Sequence, residues 1–352
     1  MSESTTLREF GERRLIDEIL RPRYRENGAR FGDDCASVAV PLGNRVVVTT
    51  DPCPQPMAEL LGFDDLYYRG WLLGTINLSD LAAAGATPLG LVTSFVLPPE
   101  LPIADFTRLL DGIDACCAAS GTVVLGGNLK EGKQIDVQAT AFGTVPDDAL
   151  SRIGCQAGDI IAVAGPAGNF WAGALCHMER ARLPAGLIDR LLEQVLTPRP
   201  QLAFGQALLA AGIPVAVMDN SDGLGPSLTT LADLNDVGLI IDLTDLRLSD
   251  DVQSAASALD IDAARLLFGW GDWHLVFCVD AVRFDEVRAV AAEVDVLLTR
   301  IGELTASRSR RLLRNDREVA LDAPESERFA ADSWFTAGIG EYIRQLRTFP
   351  MP

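Results

Sequence analysis

The chain has 352 residues, enough for two domains of ordinary size with cores of their own, and at 48% hydrophobic and 22% charged it has a globular composition. A net charge of −19 argues against a nucleic-acid partner, because so acidic a surface repels a phosphate backbone; a nucleotide would need a divalent cation, a helix N-terminus or a few basic side chains to hold it. No run of about 18 apolar residues is free of charge, the polar start "MSESTTLREFGERR" has no signal-peptide pattern, and the seven cysteines are scattered without a C-x-x-C pair. The expectation is a cytoplasmic protein with no membrane partner, no disulfide framework and no zinc site.

In chain order, residues 7–20 read as an amphipathic helix. "RVVVTTD" (45–51) is a β-branched run ending in Asp51, hence a strand with a carboxylate at its C-terminal end. A long helix is expected over 64–84, with Asp64 as its N-cap and with Asn77 and Asp80, three apart, on one face. Strand "LGLVTSFVLP", a helix over 103–119, strand "TVVLGG", the loop "GNLKEGK" and strand "IDVQATAFGTV" complete a first half. That loop holds the only two lysines of the chain, Lys130 and Lys133. The polar stretch "SRIGCQAGD" marks a boundary and divides the chain into domains 1–150 and 151–352.

The second half opens with strand "IIAVAG" and the glycine-rich turn "GPAGNFWAGAL". Helices follow over 171–181, 186–196 and 201–211, then strand "VAVMD", the turn "NSDGLG", a helix over 226–235, strand "GLIIDL" and the strand in "WGDWHLVFCV". Both halves mix strands and helices, so the fold class is α/β (α+β).

Six carboxylates share a placement. Asp33, Asp34, Asp51, Asp219 and Asp222 flank strand-like runs, and Asp80 lies on a helix among small residues. Singly, each is an ordinary turn or cap residue. Together they repel one another unless something neutralises them, and oxygen donors in such numbers suit magnesium arriving with substrate phosphates. The glycine-rich turn "GPAGNFWAGAL" could cradle a phosphate at a helix N-terminus, although close helix–strand packing explains its glycines nearly as well. The two histidines, His177 and His274, lie in apolar, tryptophan-containing contexts, and a packing role suits His177 on its helix.

The motifs "FGDDCASV", "TTD", "INLSDLAAAGATP", "LGGN", "LSRIGCQAGDIIAVAG", "MDNSDGL" and "GDWHLVF" occur in the order seen in thiamine-monophosphate kinases. The chain resembles that family, part of the superfamily of aminoimidazole ribonucleotide synthetase and selenophosphate synthetase. The resemblance implies a two-domain aminoimidazole ribonucleotide synthetase-like fold whose N-terminal domain forms a barrel-like sheet across a homodimer, with ATP and magnesium near the domain junction. It implies metal ligation by Asp34, Asp51, Asp80, Asp219 and Asp222, with Asp33 beside them. It also implies catalytic roles for Asp34, Asp222 and Arg152, and nucleotide contacts from Thr49, Thr50, Gly126, Gly127 and Ser221.

Three departures fall in or near the site. The family's G-G-D-T reads "GGNL" here, so Asn128 replaces a carboxylate, and Lys130 two residues on supplies a positive charge. The region "DPCPQPMAELLGF" lacks the family's G-x-H-F element. The family's G-E-D-Y-E reads "WGDWH": Gly271 stands where a glutamate is expected, Asp272 is kept, and His274 replaces the second glutamate, leaving Asp272 and His274 as the substrate-side pair. The expected function is ATP- and magnesium-dependent phosphotransfer to a small-molecule acceptor, either thiamine monophosphate itself or, as the altered pocket favours, another small molecule. The alternatives are a synthetase, cyclase or dehydratase that activates a carbonyl or amide oxygen by phosphorylation, and a non-catalytic nucleotide-binding paralogue.

Overall fold

The structure, a computed structural model, describes residues 5–24, 38–323 and 337–352. Asp33 and Asp34 lie outside the described residues. The chain divides into two compact units. The first runs to Leu81 and from Ala86 to Ala149, with Leu196–Leu202; the second comprises Ala82–Gly85, Leu150–Val195 and Ala203–Pro352.

The first unit begins with helical turns in place of the single helix expected over 7–20. Thr6 caps Leu7–Phe10 through a reciprocal pair with Glu9, and Gly11, at φ +80°, ends that turn; Glu12–Arg14 and the wider-wound Leu15–Leu20 follow. A periodic pattern of apolar residues does not register one left-handed glycine, so periodicity cannot reveal the break.

Four strands, β1 (Arg45–Pro52), β2 (Thr87–Leu97), β3 (Val124–Glu131) and β4 (Asp136–Val145), form an open sheet in the order β1-β4-β2-β3. β4 is antiparallel to β1 and β2, while β2 and β3 are parallel. β3 continues through Asn128, Leu129, Lys130 and Glu131, where the sequence predicts a loop. β2 extends far enough to pair Leu97 with Glu131, and this tertiary pairing overrides the weak strand preference of Asn, Lys and Glu.

Helices Leu66–Ala83 and Ile103–Ala119 belong to the same unit. A Cβ at Gly70 would lie 2.0 Å from Leu109 O, and one at Gly112 would lie 1.9 Å from Tyr67 O, so only glycine permits this close helix crossing. The first of these helices is capped by Asp65, whose Oδ1 accepts from Tyr67 N at 2.9 Å, and not by Asp64. The segment around Pro198 joins this unit because its carbonyl accepts from Trp71 Nε1 (2.7 Å) and Thr75 Oγ1 (2.8 Å), both buried.

The second unit holds a seven-stranded sheet: β5 (Ile160–Ala164), β6 (Val215–Asp219), β7 (Gly238–Asp242), β8 (Leu275–Val279), β9 (Leu298–Thr305), β10 (Arg310–Arg314) and β11 (Arg317–Ala320), in the order β11-β10-β7-β9-β5-β8-β6. Every residue of β5, β6 and β8 is buried, which explains their unbroken apolar runs. Helices Asn169–Met178, Leu187–Leu196, Leu202–Ala210 and Leu224–Leu234 start and stop within a few residues of expectation. No helix among the described residues is long and apolar enough to cross a membrane.

Candidate active site

In the first unit the site is built on the alternation of β1. Side chains two apart share a face, so Thr49 and Asp51 are half-buried while Val46, Val48 and Thr50 are exposed. Thr49 Oγ1 donates to Asp80 Oδ2 at 2.5 Å. Asp51 N donates to Asn77 Oδ1 at 3.1 Å, and the fully buried Asn77 anchors itself by donating from Nδ2 to Leu73 O at 3.0 Å. Asn77 and Asp80, three apart on one helix, thus fix the end of β1 and one carboxylate beside it. Thr50 faces the other way. It donates to Ala139 O and accepts from Thr140 Oγ1, both at 3.0 Å, so strand geometry separates the two threonines.

Gly126, Gly127, Asn128 and Lys130 all lie on β3. A Cβ on Gly127 would come within 2.5 Å of Thr93 Oγ1 and 2.6 Å of Thr93 O, so close strand pairing already requires this glycine. Asn128 and Lys130, two residues on, are both exposed. Lys130 lines a cavity of about 290 Å³ together with Leu7, Arg8, Glu12, Leu97 and Leu129. Lys133 is exposed.

In the second unit Asp219 ends β6 and is only 4% exposed. The Arg152 guanidinium approaches Asp219 Oδ1 to 3.9 Å. Arg152 is held through its backbone: its carbonyl accepts from Asn235 Nδ2 at 2.8 Å, and Asn235 Oδ1 accepts from Gly154 N at 2.8 Å and Cys155 N at 3.2 Å. Asn235 closes the helix Leu224–Leu234, and sequence reasoning missed this clamp because an Asn ending a helix reads as a cap and nothing more. Ser221 is half-buried and Asp222 exposed in the turn that precedes that helix.

Asp272 and His274 are both buried. Asp272 Oδ2 accepts from Gly168 N at 3.0 Å and Oδ1 from Phe170 N at 3.3 Å, at the start of the helix Asn169–Met178. Burial pushes the Asp272 carboxyl up to about 7, with the two backbone donors opposing it, and burial pushes His274 down to about 3. Although His274 Nδ1 stands 3.6 Å from Asp272 Oδ2, this is not an ion pair near neutral pH, because burial keeps the imidazole uncharged. Gly271 has φ +85°, and a Cβ there would meet the Phe170 ring at 3.1 Å. Phe170, Trp171, Trp270 and Tyr342 pack around this turn, with Trp171 Nε1 donating to Trp270 O at 2.7 Å.

Among the described residues no three His, Cys, Asp or Glu side chains form a group that could hold a metal ion. The donor chemistry nonetheless fits magnesium, which takes oxygen ligands and is commonly held by one or two carboxylates, with water and phosphate oxygens completing the shell.

Residues 32–145 match the family model of the AIR synthase related protein N-terminal domain. A solved structure of the hydrogenase maturation protein HypE in complex with ATP superposes with a TM-score of 0.73 at 17% identity, covering 91% of this chain and 98% of that one, a likeness of fold alone. The fold is thus that of the AIR synthase-related proteins. The thiamine-monophosphate kinase of Mycobacterium tuberculosis is 32% identical over 286 residues, 79% of this chain and 83% of the relative. The crystal structure of thiamine-monophosphate kinase from Stenotrophomonas maltophilia matches with a TM-score of 0.71 and 26% identity, over 86% of this chain and 96% of that one. The chain belongs to the thiamine-monophosphate kinase family, and its enzyme class is kinase.

Proposed function

We propose that the chain transfers the γ-phosphoryl group of ATP to a small-molecule acceptor in a magnesium-dependent reaction. The observation that carries this reading is the end of β1, where Asn77 fixes Asp51 and Thr49 orients the Asp80 carboxylate, in a chain of a kinase family. Asp51 and Asp80 in the first unit, Asp219 and Asp222 in the second, and Asp33 and Asp34 are the candidate ligands. Magnesium bound by such groups would offset phosphate charge during transfer.

The protein's own part is positioning and electrostatics, since a loose phosphoryl-transfer transition state needs no covalent help. The P–O bond to the leaving ADP breaks as a bond to the acceptor oxygen forms. Arg152 supplies a fixed cation beside Asp219. Ser221 and the Gly126–Gly127 backbone would contact nucleotide, and Lys130 would cover part of the phosphate charge left by Asn128.

Two features support an acceptor other than the thiamine monophosphate named for the relatives. Gly271 presents no side chain, and its left-handed backbone beside Phe170 disfavours any other residue. His274 is buried, so neither position offers a carboxylate to a ligand. A pocket without groups that pair with a substrate loses discrimination for it. With thiamine monophosphate, magnesium and ATP, kcat/KM should fall below about 10⁴ M⁻¹s⁻¹, the lower end for ordinary enzymes; a higher value contradicts the reading.

A homodimer through the first unit is the second part of the proposal. β1 is an edge strand, and Val46 and Val48 on it are 51% and 61% exposed. An uncovered apolar edge of this kind calls for a partner strand, and a twin sheet would extend it toward a barrel. Light scattering at micromolar concentration should give twice the chain mass; a clean monomer contradicts it.

A further inference from the structure

β6 and β8 end together, with Asp219 opposite Leu275. Beyond that pair Asn220 N donates to His274 O at 2.9 Å, and Gly271 N donates to Ser221 O at 3.1 Å. The turn that carries Asp219, Ser221 and Asp222 is therefore laid along residues 271–274.

A second connection runs through side chains. Ser227 Oγ donates to Asn220 Oδ1 at 3.0 Å, and Asn220 Nδ2 lies 2.8 Å from His274 Nε2. Asn220 and His274 are fully buried and Ser227 is nearly so. An amide nitrogen only donates, so Nε2 accepts and the ring proton sits on Nδ1. Nδ1 faces Asp272 Oδ2 at 3.6 Å and has no hydrogen-bond partner. Asp272 in turn is held by Gly168 N and Phe170 N. The backbone between these two side chains is unusual, since Trp273 has φ +53°, a conformation that survives only where its surroundings over-determine it.

We propose that His274 is a positioning residue: its Nε2 fixes the Asn220 side chain and thereby sets the backbone of the turn that presents Asp219 and Asp222. A buried donor such as the Asn220 amide is costly to leave unmade, so the turn keeps one arrangement as long as an acceptor stands at the Nε2 position. The use made of the two carboxylates rests on the magnesium–ATP reading above; the ordering of the turn does not.

The experiment begins with the unliganded wild-type chain labelled with ¹⁵N-histidine. Long-range proton–nitrogen spectra should show His274 as the neutral tautomer protonated at Nδ1; protonation at Nε2 overturns the proposal. Two variants then separate positioning from bulk packing. His274→Leu removes the acceptor, and His274→Gln keeps one near Nε2. Amide exchange at Asn220–Gly223 should quicken by about tenfold or more in the Leu variant and stay within about threefold of wild type in the Gln variant, with β5 and β9 unchanged in both.

At equal folded fraction the KM for magnesium–ATP should rise in the Leu variant and recover in the Gln variant. Equal exchange at the turn in all three proteins overturns the proposal. Faster exchange with an unchanged KM upholds the positioning role and removes the magnesium–ATP reading. If His274→Leu does not fold, Ser227→Ala loosens Asn220 from the other side, and faster exchange at Asn220–Gly223 is again expected; unchanged exchange there overturns the proposal.

Discussion

Replacing Asn77 with alanine removes three hydrogen bonds at one stroke. Asp51 N loses the Asn77 acceptor, Asp51 O loses a donor at 3.5 Å, and Leu73 O loses the donor that tied Asn77 to its own helix. At about 1 kcal/mol for each hydrogen bond lost, the sum is about 3 kcal/mol. For a unit of roughly 150 residues that corresponds to a fall of about 6–12 °C in Tm. Differential scanning calorimetry reads the shift directly. Because Asn77 also fixes the end of β1, ATP turnover measured well below the new Tm should drop by about tenfold, equivalent to about 1.4 kcal/mol of barrier. A variant that melts within about 1 °C of wild type and turns over normally would refute the reasoning, since the loss of three hydrogen bonds could not leave so small a trace.

Other perturbations test separate parts of the site. Gly271→Glu, which restores the residue expected for the family, should destabilise the chain by about 1–3 kcal/mol in urea titrations and should not raise activity toward thiamine monophosphate, because φ +85° and the Phe170 ring disfavour a side chain there. Lys130→Ala should raise the KM for ATP and Lys133→Ala should not, as only Lys130 shares a β3 face with Asn128; two unchanged KM values would mean that the lysines have no charge role. The buried pair makes opposite contributions to pH dependence. Asp272, raised to about 7, stabilises most below its unfolded pKa and loses that contribution as pH rises from about 4 to 7, whereas His274, lowered to about 3, stabilises most above about 6.5 and loses its contribution as pH falls. His274→Gln removes the second contribution, so the stability of wild type relative to this variant should grow by about 2 kcal/mol between pH 5 and 6.5, measured by urea unfolding; a constant difference would contradict the burial of a neutral imidazole.

Much of this site is legible in the sequence because its chemistry sits where strands end. β1, β6 and β8 are short apolar or β-branched runs, and Asp51 and Asp219 close two of them, so pattern alone places these carboxylates. The shared face of Asn77 and Asp80 follows from helical spacing. What the sequence hides depends on partners far along the chain. β3 carries Lys130 because β2 reaches Leu97, which local propensity does not register. The separation of Thr49 from Thr50 is available from strand alternation, yet the family motif draws the two together. The environment of His274 depends on Asn220 and Ser227, distant in sequence, and a histidine between tryptophan and leucine gives no sign of a hydrogen-bonded amide behind it.

The most direct test of magnesium-dependent phosphotransfer through these carboxylates is a transfer assay with γ-labelled ATP, comparing wild type with Asp222→Asn. Asp222 is exposed, so its replacement should leave stability within about 0.5 kcal/mol of wild type. Wild type should pass label to a small-molecule acceptor only when magnesium is present, and the variant should pass none while giving an unchanged melting curve. Label transfer by Asp222→Asn at the wild-type rate, or transfer by wild type that is indifferent to magnesium, would contradict the proposed role of the site.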